Sequence, residues 1–215
     1  MDRQMFCFQC EQTAGGSGSR GKCGVCGKRA DVAGLRDELT GALIGLARAA
    51  QGNTHPTEDT YRLLIKGLLS TMTNVNFNGE AIRELIDAVH AEKERLVPRC
   101  SACASPCGRN DDYDVKRLWD AEEDLRSLRS LILLGIRGVA ACAYHAGVLG
   151  QSGREVNEFL ARALFAVGDD QDMEQLLPLA LEVGKVNLSC MEMLDEANTG
   201  AFGAPVPVTA PLKAE

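Results

Sequence analysis

The amino-acid sequence predicts an all-α protein, and three observations carry that reading. From Val32 onward, apolar residues recur every three or four positions, the spacing that gathers them on one face of a helix. No stretch alternates apolar and polar residues with a period of two, as a half-buried strand requires. The periodic runs open close to residues that cap helices: Asp31, Thr57, Asn78, Ser152 and Asp172.

Residues 1–30 read as a loop, holding Gly15, Gly16, Gly18, Gly21, Gly24 and Gly27 and almost no periodicity. The first helix follows, with Asp31 in the N-cap position and Val32, Leu35, Leu39, Leu43 and Leu46 along one face. Tyr61, Leu64, Ile65 and Leu68 mark a second, started by Thr57 and Asp59 just after Pro56. The asparagine-rich stretch Asn74–Asn78 turns the chain into a third helix carrying Ile82, Leu85, Ile86 and Val89. A break follows, and residues 98–114 are read as a connector. From Val115 one long helical run carries Leu118, Leu125, Leu128, Ile132, Ile136 and Val139, with Gly135 and Gly138 as points of kinking or close approach. Ser152 opens a further helix through Phe159, Leu160 and Leu164. The last extends from about Asp172 to Asn198, with Pro178 near its first turns and Gly200 as the stop signal. The arrangement predicted is two three-helix bundles, residues 31–97 and 115–200. Residues 201–215 have three of the seven prolines and no periodicity, so they read as an extended tail or interdomain linker.

The chain has 215 residues, with 23 basic and 30 acidic side chains and a net charge of -7. That balance argues against a nucleic-acid partner and against an anionic membrane surface. No unbroken apolar run approaches the roughly 18 residues of a membrane span, and the start, MDRQMFCFQC, has no secretory core. A cytoplasmic setting is the expectation. Nine cysteines are present, seven of them in two tight groups. A chain of this length does not need disulfides to fold, so clustered thiols point to metal or redox chemistry.

Cys7, Cys10, Cys23 and Cys26 form C-x2-C-x12-C-x2-C. Two intervening residues let both thiolates of a pair converge on one metal while the turn's N–H groups face the sulfurs. Four thiolates suit Zn²⁺, a [2Fe–2S] or a [4Fe–4S] cluster, and spacing alone leaves these open. The glycine-rich spacer lets the backbone approach inorganic sulfide, and Lys28 and Arg29 add positive charge beside an anionic centre. Cys100, Cys103 and Cys107 form a second group, C-x2-C-x3-C; without a visible fourth ligand they read as free loop thiols, with a second metal site as the alternative, for which Asp111, Asp112 and His90 lie nearby in sequence. Cys142 and Cys190 fall in apolar helical stretches and read as small core residues. His145, one turn from Cys142, reads as a helix-packing hydrogen-bond partner. Trp119, Tyr113 and Tyr144 read as core aromatics, and Asp120–Asp124 as a solvated helix face.

The stretch MFCFQCEQTAGGSGSRGKCGVCGK resembles the N-terminus of the hybrid-cluster (prismane) proteins, known as hydroxylamine reductases. The resemblance continues in LLSTMTNVNF, LRSLILLGIRGVAACAYHAGVLG and EVGKVNLSCMEMLDEANTGAFGAPVP, and so covers essentially the whole chain. It implies that the matching cysteines hold a conventional cluster, [4Fe–4S] or [2Fe–2S]. Cys7, Cys10 and Cys26 match directly. The family's third ligand falls where this chain reads Gly18-Ser19, so Cys23 is taken as the substitute and Ser19 as the weaker alternative, since a thiolate is the better iron ligand. The family's fold implies two α/β domains after this helical region, holding a hybrid iron–sulfur–oxygen cluster that this chain lacks. The expected role is delivery of electrons from a redox donor protein to catalytic domains in the same enzyme or a separate subunit, with no catalytic residue in this chain. On the residues alone, the alternative is a zinc-stabilised helical interaction module without redox activity.

Overall fold

The computed structural model describes residues 7–9, 23–51, 55–97 and 111–207. Among them are seven helices: α1 (Ala30–Gln51), α2 (Glu58–Ser70), α3 (Gly79–Leu96), α4 (Lys116–Trp119), α5 (Glu123–Val148), α6 (Arg154–Gly168) and α7 (Met173–Phe202). No strand occurs among the described residues, and a single antiparallel bridge joins Cys23 to Arg29. The fold is all-α.

Local chemistry sets the helix starts. Thr57 N–H donates to Thr60 Oγ1 at 2.9 Å, and Asn78 Oδ1 accepts from the N–H groups of Glu80 and Ala81. Asp172 and Gln175 cap each other reciprocally, at 3.0 and 3.1 Å. Asp31 stands inside the first turn of α1, where its carboxylate still favours the helix N-terminus and pairs with Arg29 at 3.0 Å. Ser152 is displaced the other way. Gly153 takes the cap position, and Ser152 Oγ accepts instead from Asn157 Nδ2 at 3.2 Å.

Two boundaries differ from those read in the sequence. The run from Val115 is broken after Trp119, and the Glu122 carboxylate starts α5 afresh by accepting from Asp124 N–H at 3.1 Å. Part of the acidic stretch 120–124 is therefore a cap. At the other end α7 continues through Gly200 to Phe202, and Gly203, with φ of 83°, ends it. A glycine inside a helix costs about 1 kcal/mol but does not terminate it; the positive φ and extended ψ of Gly203, a combination open to glycine, do.

Helices α1, α2 and α3 pack together, as do α5, α6 and α7; α1 also lies on α6, and α2 on α5. One hydrophobic core therefore runs through both groups, from Leu43, Ile44 and Leu68 to Ile132, Leu164 and Leu176. Gly135 allows close approach of α7: a Cβ there would meet Val183 Cγ1 at 2.6 Å. By length and composition alone α5 would pass for a membrane span. Its packing on α2, α6 and α7 and its buried Arg137 account for that composition as core.

The residues before α4 are pinned to the first helix group. Tyr113 N–H donates to Gly41 O at 3.1 Å, and the Tyr113 carbonyl occupies the place where a Cβ on Gly41 would stand. The buried Tyr113 ring has the guanidinium groups of Arg48 and Arg117 each 5.6 Å from its centre. Asp112 accepts from Lys93 Nζ at 2.6 Å and meets His90 Nε2 at 2.8 Å, which ties the same segment to α3.

Candidate metal centre

Cys23 and Cys26 sit on a tight turn leading into α1. Gly27 N–H donates to Gly24 O at 2.9 Å and Gly24 N–H to Lys28 O at 2.8 Å, with Cys23 and Arg29 paired at its base. Gly27 has φ of 80°, a conformation that glycine adopts without a Cβ penalty. The C-G-V-C-G sequence is thus folded as a knuckle, with Cys23 exposed, Cys26 half-buried and Val25 exposed between them.

Cys7 is buried, with Ala33 of α1 as its apolar neighbour. Phe8 lies 5.4 Å from the Trp119 ring, tilted by 42°. Gln9 is buried and anchors this segment. Its carbonyl accepts from Thr73 Oγ1 at 3.3 Å and Arg137 Nη1 at 3.4 Å. Its side-chain oxygen accepts from Arg137 Nη2 at 2.7 Å, and its amide nitrogen donates to Asp37. Residues 7–9 are therefore held by α1, by the α2–α3 turn and by α5.

Beneath this segment lie three buried cations, Lys28, Arg36 and Arg137, each no more than 2% exposed. Arg36 Nη1 donates to Met72 O at 2.8 Å and Nη2 to Asn76 O, and its guanidinium lies 5.5 Å from the Phe77 ring centre. Its buried Nε has no hydrogen-bond partner among the described residues. Burial lowers the Arg36 pKa, while negative charge at Cys7, Cys26 and Asp37 acts to raise it. Asp37 lies in the field of all three cations, yet burial pushes its carboxyl up to about 7, against the Gln9 hydrogen bond and those positive charges. Lys28, Arg36 and Arg137 make this a buried, positively charged setting, which suits an anionic group because charge favours burial beside its opposite. A thiolate-ligated iron–sulfur cluster has that charge, and the donor set Cys7, Cys23 and Cys26 has the softness it needs.

No group of three metal-ligating side chains converges among the described residues. Cys10, the fourth member of the first group, lies outside them, as do Cys100, Cys103 and Cys107. The fold brings together Cys7, Cys26 and Arg36, on a base of Gln9, Asp37 and Arg137. The sequence reading missed Arg36, Asp37 and Arg137. A readable signal was available for the two arginines, since both occupy apolar register positions: Arg36 four residues after Val32, Arg137 four after Leu133.

The remaining candidates stand apart. Cys190 is buried and donates to Val139 O at 3.5 Å; burial, with Cys142 adding in the same direction, pushes its thiol up to about 12. It is a core residue, and an inert one at neutral pH. Cys142 is half-buried against the same core. His145 is exposed and lies edge-on to Tyr144 at 5.7 Å, in place of the packing hydrogen bond predicted for it. A cleft of about 340 Å³ between α2, α5, α6 and α7, lined by Arg62, Lys66, Tyr144 and Met193, includes no residue of the cysteine segments.

Residues 5–215 match the Prismane/CO dehydrogenase family. The chain is 41% identical to a hydroxylamine reductase of Solidesulfovibrio magneticus, over 97% of its own length and 42% of the relative's. It is 37% identical to a hydroxylamine reductase of Maridesulfovibrio salexigens and 38% identical to one of Thermodesulfovibrio yellowstonii, again covering 42% of each. The chain thus spans less than half the length of the curated relatives it matches.

Proposed function

The chain belongs to the Prismane/CO dehydrogenase family, and from that membership we propose that it is the iron–sulfur electron-transfer part of a hydroxylamine reductase. The observation that carries the reading is the match across residues 5–215, which takes in all four cysteines of the first group. Cys7, Cys10, Cys23 and Cys26 are the proposed ligands of a [4Fe–4S] cluster, with [2Fe–2S] as the smaller alternative, Cys23 filling the third position ahead of Ser19. Such a cluster takes up and releases single electrons.

The chain's own residues set the conditions for that exchange. Lys28, Arg36 and Arg137 supply fixed positive charge that favours retention of an added electron. Gln9, bonded to Arg137, Thr73 and Asp37, holds the backbone of residues 7–9 in place. Phe8, next to Cys7, packs its ring 5.4 Å from that of Trp119 and so ties the segment to α4. No residue here acts as acid, base or nucleophile in this reading. Reduction of the nitrogen substrate belongs to domains that the longer relatives carry, in the same polypeptide or in a partner subunit, and a redox protein is the donor. Residues 1–30 are the proposed cluster-binding loop, 98–114 the connector and 201–215 the linker; the proposed setting is cytoplasmic.

The rival is a structural zinc site, which the knuckle turn at Cys23–Gly27 would also suit. Iron, zinc and acid-labile sulfide analysis of anaerobically purified protein separates the two. About four iron and four sulfide per chain support one [4Fe–4S] cluster. A larger iron count that falls on substituting Cys103 would assign metal to the second cysteine group.

A further inference from the structure

We propose that the exposed apolar stripe of α7 is the seat of the polypeptide that the relatives carry beyond the region matched here. This rests on the reading of the chain as one part of a longer enzyme, but it stands on different residues from the metal centre. Met173, Leu177, Leu181, Leu188 and Met191 are all between 46% and 67% exposed. At 100° per residue they fall within an arc of about 80° and form a line about 27 Å long. The opposite side of the helix carries Leu176, Leu179, Val183, Val186 and Cys190, which are buried in the core. Helix α7 is therefore apolar on both sides, although the core occupies only one of them.

A surface helix needs only one apolar face, and the outer face of α3 obeys that rule with Arg83, Glu84 and Asp87. A continuous exposed apolar line is the mark of an interaction surface. Two further observations identify the occupant. More than half of each relative lies outside the match, 42% being covered, so the unmatched part is larger than the chain itself. Helix α7 is the last helix among the described residues, and the exposed apolar side chains continue past the stripe at Phe202 and Val206. The apolar surface left uncovered by this chain is thus matched by a large length of relative polypeptide that the chain does not contain. Along one flank run the exposed Glu174, Glu192 and Glu196 with Lys185 as the cation among them. The occupant is thus an apolar ridge with a basic margin on that side.

The test is hydroxyl-radical footprinting read by mass spectrometry, on this chain as purified and on the intact hydroxylamine reductase of Solidesulfovibrio magneticus. Each labelling rate is normalised to the same peptide in the unfolded protein, and the chain's mass in solution is measured by sedimentation. The result expected is a monomeric chain whose peptide 173–191 labels several-fold faster than the aligned peptide of the relative. Equal labelling in the two proteins would overturn the proposal. So would a self-associated chain already protected over 173–191, since the occupant would then be a second copy. Iron and sulfide are measured on the same samples. Protection without a cluster in the chain leaves the docking surface standing and rejects the electron-transfer reading; a cluster with equal labelling does the reverse.

Discussion

Arg137 concentrates several of the constraints on the cysteine segments in one side chain. It is buried in α5 and reaches across to the Gln9 carbonyl, the Gln9 side chain and Thr40 Oγ1, the last at 3.3 Å. Arg137→Met keeps much of the volume but leaves those acceptors without their donor. A loss of about 2–4 kcal/mol in stability is expected, the usual size when a buried charged partner is removed. Reconstituted iron per chain should fall with it. Unchanged iron content in a folded variant would show that Gln9 does not position the site. Asp37 makes a separate prediction with a defined sign. Its carboxyl is pushed up to about 7 by burial, from an unfolded value near 4. Between those values the native state holds a proton that the unfolded state has released, so this group's contribution to stability falls as pH rises through that window. Asp37→Asn removes the titration. Compared by denaturant midpoints of the metal-free chain, the variant should gain on the wild type as pH rises from about 4 to 7 and stay level above. A difference that does not vary with pH would contradict the assignment.

At the scale of elements, the contact between Gly41 of α1 and the Tyr113 backbone is the most exacting in the fold. A Cβ on Gly41 would overlap the Tyr113 carbonyl, a backbone group that cannot rotate away, whereas one on Gly34 in the same helix meets nothing. Gly41→Ala should therefore destabilise by about 1–3 kcal/mol or more, the scale of overpacking. Gly34→Ala should be neutral or stabilising by up to about 1 kcal/mol, through helix propensity. Equal midpoints for the two variants would mean that residues 111–113 do not close on α1 as described. The helices themselves were largely legible in the sequence, because Val32, Leu39, Leu43, Ile82, Ile86, Leu160 and Leu164 keep helical spacing and are buried. The capping roles of Asn78 and Asp172 were legible for the same reason: their side chains act within three residues of where they stand, as does that of Thr60, whose hydroxyl accepts from the Thr57 N–H. The break before Glu122 was hidden because Leu118 and Leu125 hold the register across it. The run of α7 past Gly200 was hidden because a glycine is a possible stop whose conformation only the fold decides. Of the site, the cysteine pattern was legible and its base was not. Gln9, Asp37 and Arg137 lie on three separated segments, and no local pattern announces a contact across 128 residues.

For the whole molecule, the proposed function divides carrying electrons from using them. The chain covers 42% of the hydroxylamine reductases it matches. With an artificial donor it should show no hydroxylamine turnover, even when loaded with iron and sulfide. Measurable turnover by these 215 residues alone would place a catalytic site inside the chain and refute the division. Beneath it lies the proposal that Cys7, Cys10, Cys23 and Cys26 hold an iron–sulfur cluster over the buried cations Lys28, Arg36 and Arg137. The decisive measurement is metal and sulfide analysis of the anaerobically purified chain, with its visible spectrum before and after dithionite. A brown protein with about four iron and four sulfide is expected, bleached reversibly on reduction and colourless in the Cys26→Ser variant. A colourless wild-type chain with one zinc and neither iron nor sulfide would contradict it.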